Sequence, residues 1–220
     1  MAKTTRRSLS SSLNLWHVVV NAPMHNLPFS QACENNQAPI LAVLQRAFAK
    51  ANTVLEIGAG TGQHSVFFAP QLPHLQWQSS DQSLHLPNIN AWHAAYPAQN
   101  LPKALPLNVN DDVWPTGFDA AFSANTAHIM DWESVQRMFL RVGQGLPSQG
   151  VFALYGPFNY RGDYTSVSNR QFDAMLRQRD AKQGIRDFEK VNSLAEQAGL
   201  QLQEDNAMPA NNRLLVWEKY

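Results

Sequence analysis

The chain has very few residues for disulfide or metal chemistry, since Cys33 is the only cysteine among 220 residues. A disulfide within the chain needs two cysteines, and one cysteine cannot build a zinc cluster. The seven histidines show no His-x-x-x-His or similar spacing. We therefore expect no internal disulfide and no metal site.

Charge of either sign is also scarce. Asp, Glu, Lys and Arg make up 15% of the chain, and 17 basic residues balance 17 acidic ones. Without a basic field to gather phosphates, we expect no nucleic-acid partner. No apolar run approaches the roughly 20 residues that span a bilayer, so we expect no membrane partner and a cytoplasmic location.

The first residues differ from the rest of the chain. Basic residues precede a modest apolar stretch over residues 13–22, which resembles a weak signal peptide. Asn14, His17 and Asn21 interrupt that stretch, which favours a loose extension instead. We predict a flexible N-terminal extension over residues 1–26 and one domain over residues 27–220.

Beyond Pro28, short apolar strands alternate with amphipathic helices, a pattern typical of a parallel sheet covered on both faces. Helices are predicted from Pro39 to Phe48, over residues 63–69, around residues 135–146, from a cap at Ser168 or Asn169, and before Gly199. Strands are predicted at residues 53–57, 75–79, 104–107, 118–123, 151–155, 200–204 and 214–218. The last two form a hairpin and must run antiparallel. The fold class is therefore α/β: one Rossmann-like domain with a mostly parallel seven-stranded sheet and one antiparallel strand.

The strongest functional signal is a glycine-rich turn after the first strand. Gly58, Gly60 and Gly62 occupy alternate positions, and Glu56 precedes them. A dinucleotide site of the form G-x-G-x-x-G requires a glycine where this chain has Gln63. The observed spacing instead matches the E/D-x-G-x-G-x-G motif of class I methyltransferases, whose cofactor is S-adenosylmethionine. A simple tight turn is the alternative for the glycines alone.

Two further residues support a nucleoside cofactor. Asp81 follows the second strand, where an acid accepts hydrogen bonds from ribose hydroxyls. Asn125 follows the fourth strand and is a candidate contact to the methionine part of the cofactor. In an open α/β sheet, both positions lie at the carboxyl ends of strands, where ligands bind.

The chain also resembles the methyltransferase-like family catalogued as domain of unknown function 938, related to human methyltransferase-like protein 26. The resemblance extends from about Leu27 to the C-terminus. It rests on the glycine turn and on Glu34-Asn35-Asn36, Asn125-Thr126-Ala127-His128-Ile129, Tyr155-Gly156-Pro157-Phe158, Ser168-Asn169, Phe172-Asp173, Gly184-Ile185-Arg186-Asp187 and Met208-Pro209-Ala210-Asn211-Asn212. It implies the class I methyltransferase fold and its methyl donor, and it supplies no defined reaction.

The chain departs from that family at the end of the third strand. The family has Leu-Asp-Val, where the acid is expected to contact the adenine amino group, and this chain has Leu107-Asn108-Val109. The Asn108 carbonyl can still accept that hydrogen bond. The predicted cofactor-binding residues are therefore Glu56, Gly58, Gly60, Gly62, Asp81, Asn108 and Asn125.

Catalytic candidates follow the fourth and fifth strands. His128 is a candidate general base, because an ordinary imidazole pKa of about 6.5 suits reversible proton transfer. Its alternative role is to order the loop by hydrogen bonding. Tyr155 is a second candidate, and packing is its alternative.

The substrate is predicted only as a small molecule. The N-P-P-Y or D-P-P-Y tetrad of amino-group methyltransferases is missing after the fourth strand. Arg161, Arg170, Arg186 and Arg213 together form a candidate site for an anionic substrate, with dispersed surface positions as the alternative. The leading hypothesis is a small-molecule methyltransferase, and the main alternative is a non-catalytic binding or regulatory module with the same fold. Gln63 disfavours a nicotinamide oxidoreductase.

Overall fold

A computed structural model describes residues 27–220, so the predicted extension over residues 1–26 lies outside the described residues. The strands are β1 (Thr53–Ile57), β2 (Gln76–Asp81), β3 (Leu105–Pro106), β4 (Ala120–Ala124), β5 (Val151–Gly156), β6 (Phe158–Asn159), β7 (Arg186–Asp187), β8 (Leu200–Met208) and β9 (Asn212–Lys219). The helices are α1 (Gln31–Ala47), α2 (Gln63–Phe68), α3 (Leu86–Ala95), α4 (Trp132–Gly145), α5 (Val167–Arg179) and α6 (Phe188–Gln197). Short 3₁₀ turns cover Ala69–Gln71 and Pro209–Asn211.

Seven strands form one sheet in the order β3-β2-β1-β4-β5-β9-β8. The pairs from β3 to β5 are parallel, and β9 runs antiparallel to both of its neighbours. This confirms the predicted α/β sheet with one reversed strand. A separate two-stranded sheet pairs β6 with β7.

The sheet is buried because successive residues of its central strands point to opposite faces. Val54 packs into one apolar cluster with α1, while its neighbour Leu55 packs into the other with α4. Helix α4 presents Val135, Met138 and Phe139 to the sheet, and none of the three is exposed. Burial of each such side chain contributes about 1.5–3 kcal/mol. The helices therefore fix the central strands, whose carboxyl ends carry the candidate site.

Helix α1 begins earlier than the sequence predicts. Its first residue is Gln31, and the Ser30 hydroxyl caps it by accepting a hydrogen bond from the Cys33 amide at 3.4 Å. Pro39 lies inside the helix rather than in its first turn. The prediction was wrong because the first turns of α1 are polar and show no apolar repeat. The earlier start brings Cys33 and Asn36 to the site.

Three smaller predictions also need correction. Helix α3 was missed because Ile89 and His93 are its only buried residues, too few for an apolar stripe. The cap of α5 is Ser166, whose hydroxyl accepts from the Asn169 amide at 3.1 Å, rather than Ser168 or Asn169. Asp81 is the last residue of β2 and does not follow the strand. Among residues 27–220, no helix has the length and apolarity needed to cross a membrane.

Candidate functional site

The glycine turn after β1 packs against the ends of two neighbouring strands. The amides of Gly58 and Ala59 each donate to the Ser80 carbonyl at 3.0 Å, which ties the turn to β2. A Cβ on Gly58 would lie 2.6 Å from Thr126 Cγ2, in the loop after β4. Gly58 has φ +75°, a backbone conformation that other residues rarely adopt. Glycine is therefore required here by both packing and backbone.

Gly60 serves a different purpose in the same turn. It has φ +60°, and a Cβ added there would meet no atom within 4 Å. Its amide donates to Asp81 Oδ2 at 2.7 Å. Gly60 thus leaves space open above the turn and orients the carboxylate at the end of β2.

That open space is a cavity of about 700 Å³ at the carboxyl ends of the parallel strands. Its volume lies within the ~300–1,000 Å³ typical of small-molecule sites. Six of the predicted site residues line it: Gly58, Gly60, Asp81, Asn108, Asn125 and His128. Glu56, Gly62 and Tyr155 lie behind this wall.

Glu56 is a buried support of the turn. Its carboxyl group is 2% exposed and accepts hydrogen bonds from Trp77 Nε1 and Ser79 Oγ, both at 2.9 Å. Burial raises the pKa of Glu56 to about 7, although both hydrogen bonds oppose the shift. The carboxyl group therefore joins β1 to β2 beneath the turn.

Asp81 and Asn108 lie at the β2 and β3 end of the cavity. The two Asp81 oxygens accept from the backbone amides of Gly60 and Gln82, each at 2.7 Å. Asn108 Oδ1 accepts from the Asn110 amide at 3.0 Å, which closes a local turn. Each side-chain oxygen retains a further lone pair for a ligand.

Asn125 and His128 lie at the β4 end. Asn125 adopts φ 58°, which asparagine tolerates better than most residues, and its amide donates to the Tyr155 carbonyl at 2.9 Å. The His128 ring is 6% exposed and lies edge-on to Phe172, with ring centroids 5.4 Å apart. Burial, and then the charge of Arg186, lowers the pKa of His128 to about 4. The ordinary pKa assumed from the sequence is therefore wrong for this ring, which is neutral and weakly basic.

Tyr155 is the last residue but one of β5, lies behind the wall and is 2% exposed. Burial raises the pKa of its hydroxyl, whereas the side chains of Asn36 and Asn212 lower it. These three residues come from separate segments of the chain. Tyr155 thus lies between α1 and the start of β9.

Three of the four arginines proposed for an anion site are engaged by other groups of the protein. Arg186 donates to the Ala127, Met130 and Lys182 carbonyls and so secures the loop that carries His128. Arg213 pairs with Asp205 at 2.7 Å, and the Arg170 guanidinium lies 3.9 Å from Asp163. The cationic side chain on the cavity wall is instead Lys182, in the loop after α5.

Several wall residues were not recognised from the sequence. His64 hydrogen-bonds Asn36 at 2.6 Å, and Cys33, Asp131 and Lys182 also line the cavity. The Asp-x-x-Ser spacing at Asp131 is a helix-cap signal, and the Asp131 carboxylate accepts from the Ser134 amide at 2.7 Å. Nothing in the local sequence marks the other three. Within residues 27–220, no three His, Cys, Asp or Glu side chains are grouped to hold a metal ion.

This strand order, with its reversed strand and glycine turn, defines the Rossmann-like fold of class I methyltransferases. Residues 27–219 match the model of the family described as "Protein of unknown function (DUF938)". The chain belongs to that family.

Solved structures with this fold include three methyltransferases. An O-methyltransferase family 2 protein from Planctomyces limnophilus, in complex with apigenin, matches with TM-score 0.76 and 15% identity over 86% of this chain and 58% of that one. An O-methyltransferase family protein from Burkholderia thailandensis matches with TM-score 0.74 and 14% identity over 83% of this chain and 56% of that one. Human N-acetylserotonin methyltransferase, in complex with S-adenosylmethionine, matches with TM-score 0.71 and 12% identity over 86% of this chain and 52% of that one. The chain thus spans little more than half the length of these proteins.

Proposed function

We propose that this protein is an S-adenosylmethionine-dependent methyltransferase that acts on a small molecule. The observation that carries the proposal is the cavity above the glycine turn, with Asp81 at one end and Asn125 and His128 at the other. The strand order places these ends on either side of β1, so a ligand that contacts both crosses the turn. The three methyltransferases of the same fold support the class of reaction.

The residues present fit the proposed cofactor. Asp81 would accept hydrogen bonds from the ribose hydroxyls, and Asn108 would accept one from the adenine amino group. Gly58 and Gly60 leave room for the ligand against the turn, and Asn125 would contact the methionine part. When bound, S-adenosylmethionine supplies a methyl group on a positively charged sulfur.

The charges of the wall favour this cofactor over a dinucleotide. Asp81, Asp131 and Asp180 face the cavity together with Lys182. This excess of carboxylates attracts a sulfonium cation and repels a pyrophosphate. The first amide of α2 is also engaged, since the Gln63 amide donates to Thr61 Oγ1 at 3.4 Å. A phosphate therefore finds one amide of the helix N-terminus already engaged.

The chain's own contribution to the reaction is to position the acceptor and exclude water. Phe172 and Ile129 form apolar parts of the wall near His128. His128 is the candidate proton acceptor at that end. The low pKa of His128 makes it a weak base. A weak base suits a substrate whose methylated group loses its proton readily.

The direct test is transfer of a labelled methyl group to metabolites extracted from cells. We expect the purified protein to label small molecules and Asp81→Ala to lose at least tenfold in turnover at subsaturating cofactor. Asp112→Ala is the matched control, because Asp112 is an acid with 86% side-chain exposure that pairs with Arg137 outside the cavity.

Two outcomes would count against the proposal. Binding of S-adenosylmethionine without any labelled product would favour the non-catalytic module. Equal losses in Asp81→Ala and Asp112→Ala would show that the effect of Asp81 is not specific to the cavity.

A further inference from the structure

A polar cluster lies beside the end of β5, against the cavity wall. It consists of the buried residues Tyr155, Asn36 and His64 and the half-buried Asn212, and we call it the tyrosine–amide cluster. Asn36 and Tyr155 are only 4% and 2% exposed. Polar groups removed from water in this way are costly unless they are hydrogen-bonded. The contacts within the cluster therefore determine how each group is oriented.

The orientation of the Asn36 amide follows from its contact with His64. The Asn36 side-chain oxygen Oδ1 lies 2.6 Å from His64 Nε2, and both residues are buried. The side chains of Asn36 and Asn212 also lower the pKa of the Tyr155 hydroxyl, although burial has the larger, opposite effect.

The contact with Asn36 fixes the tautomer of His64. A carbonyl oxygen only accepts hydrogen bonds, so Nε2 carries the proton and Nδ1 keeps a lone pair. The ring stacks on Phe68, with ring centroids 5.2 Å apart, and forms part of the cavity wall. Burial lowers the pKa of His64 to about 4. His64 is therefore an uncharged hydrogen-bond acceptor on the wall.

The turn that brings Asn212 to Tyr155 is strained. Ala210 and Asn211 have φ 56° and 58°, in the left-handed region. Asn169 Nδ2 donates to the Asn211 carbonyl at 3.2 Å and holds the turn against α5. Non-glycine residues keep such a conformation only where the surroundings enforce it, and they concentrate at functional sites. This turn leads directly into Asn212, the first residue of β9.

The cluster adjoins the half of the cavity away from the predicted nucleoside end. Cys33 lines the cavity, and Asn36 lies three residues later on the same face of α1. Asp81 is at the other end of the cavity, as the last residue of β2. Ile129 and Phe172 add apolar surface near β4. This half of the wall offers a neutral hydrogen-bond acceptor and apolar side chains, together with the charged groups of Asp131, Asp180 and Lys182.

We propose that the tyrosine–amide cluster holds His64 as a hydrogen-bond acceptor for an O–H or N–H group of an aromatic molecule, the substrate that receives the methyl group. That the ligand is the methyl acceptor rests on the proposed function, whereas the binding site itself does not. His64 anchors the molecule through a group other than the methylated atom. Asn36 and Tyr155 are positioning residues, because they act through His64.

The test uses phenol and anisole, which have similar size and differ in the hydrogen-bond donor. Each is titrated into the full chain labelled with ¹⁵N-histidine, and the His64 Nδ1 and Nε2 shifts are followed by NMR. We expect Nε2 to be protonated in the free protein and phenol to shift the Nδ1 signal. Phenol should bind roughly five- to tenfold more tightly than anisole, as one hydrogen bond provides.

Two variants separate positioning from a merely structural role. Asn36→Leu removes the carbonyl, so we expect mixed His64 tautomers and loss of the preference for phenol. Asn36→Gln keeps a neutral carbonyl acceptor and should restore the Nε2–H tautomer and the preference. Thermal unfolding of both variants reports whether they fold, and the phenol–anisole comparison in the unchanged protein stands without them.

Three results would overturn the proposal: equal binding of phenol and anisole, no binding of either, or an Nδ1 signal that phenol leaves unmoved. Binding of S-adenosylmethionine is measured separately on the same samples. A protein that prefers phenol but does not bind S-adenosylmethionine would overturn the assignment to a methyl acceptor. It would confirm His64 as the acceptor and locate the failure in the proposed function.

Discussion

Gly58→Ala tests the close contact between the glycine turn and Thr126 in the loop after β4. The added methyl group would lie 2.6 Å from Thr126 Cγ2, and the backbone has φ +75°. A left-handed conformation costs an alanine about 1–2 kcal/mol, and overpacking in a close-packed site costs about 1–3 kcal/mol. We therefore expect Gly58→Ala to lower the free energy of unfolding by about 2–5 kcal/mol.

Gly60→Ala isolates the backbone cost. Gly60 has φ +60°, and an added Cβ meets no atom within 4 Å. The loss for this variant should be only the ~1–2 kcal/mol of the left-handed conformation. The difference between the two variants then measures the clash with Thr126.

Thr126→Ser should relieve that clash. It removes Cγ2 and keeps the hydroxyl, which lies 2.7 Å from Ser123 Oγ. Alone it should cost about 1 kcal/mol for one buried methyl group. Combined with Gly58→Ala, it should recover about 1–3 kcal/mol relative to the sum of the single losses.

Urea unfolding of the unchanged protein, Gly58→Ala, Thr126→Ser and the double variant measures this coupling directly. Losses that add to within about 0.5 kcal/mol would show that Gly58 and Thr126 do not contact each other as described. The close approach of the turn to the loop after β4 would then be refuted.

Three further outcomes follow from buried ionisable groups. The pKa of Glu56 is raised to about 7, so the folded state holds this proton more tightly than the unfolded state. The free energy of unfolding should therefore fall by about 3 kcal/mol as the pH rises from 4.5 to 7. Glu56→Gln should remove this fall, as measured by urea unfolding. The pKa of His128 is lowered to about 4, so its NMR titration should show no midpoint near pH 6.5; such a midpoint would contradict its burial. Asp173 is 2% exposed and accepts hydrogen bonds at 2.7 Å from Arg177, Tyr164 and the Ile185 amide. Asp173→Ala should therefore lower the free energy of unfolding by about 3 kcal/mol, measured by thermal unfolding. A loss under about 1 kcal/mol would refute this network.

The sequence predicts those strands and helices whose apolar pattern lies within one short stretch of the chain. Strand β1 is a compact apolar run, and α4 carries an apolar stripe at helical spacing. Helix α3 and the start of α1 were not predicted, because few of their residues are buried. Their positions depend on tertiary contacts, such as the Trp92 Nε1 donation to the Pro28 carbonyl at 2.7 Å.

The site residues also divide into those marked by the local sequence and those brought together by tertiary contacts. Gly60 was predicted from the glycine spacing after β1, Asp81 from its place near the end of β2, and Asn108 from the family resemblance. His64 and Asn36 are 28 residues apart, and neither stands in a local pattern that indicates their hydrogen bond. The His128 pKa was also beyond the sequence, since it depends on burial and on the charge of Arg186.

The most direct test of the central claim is a calorimetric titration with S-adenosylmethionine, its demethylated product and NAD. The comparison is between the unchanged protein, Gly60→Val and Gly117→Val. Both glycines have positive φ and open space around an added Cβ, but only Gly60 lines the cavity.

We expect micromolar binding of the first two ligands to the unchanged protein and to Gly117→Val, at least tenfold weaker binding to Gly60→Val, and no binding of NAD. Absence of binding to the unchanged protein, or equal binding to Gly60→Val, would contradict the assignment of this cavity to S-adenosylmethionine.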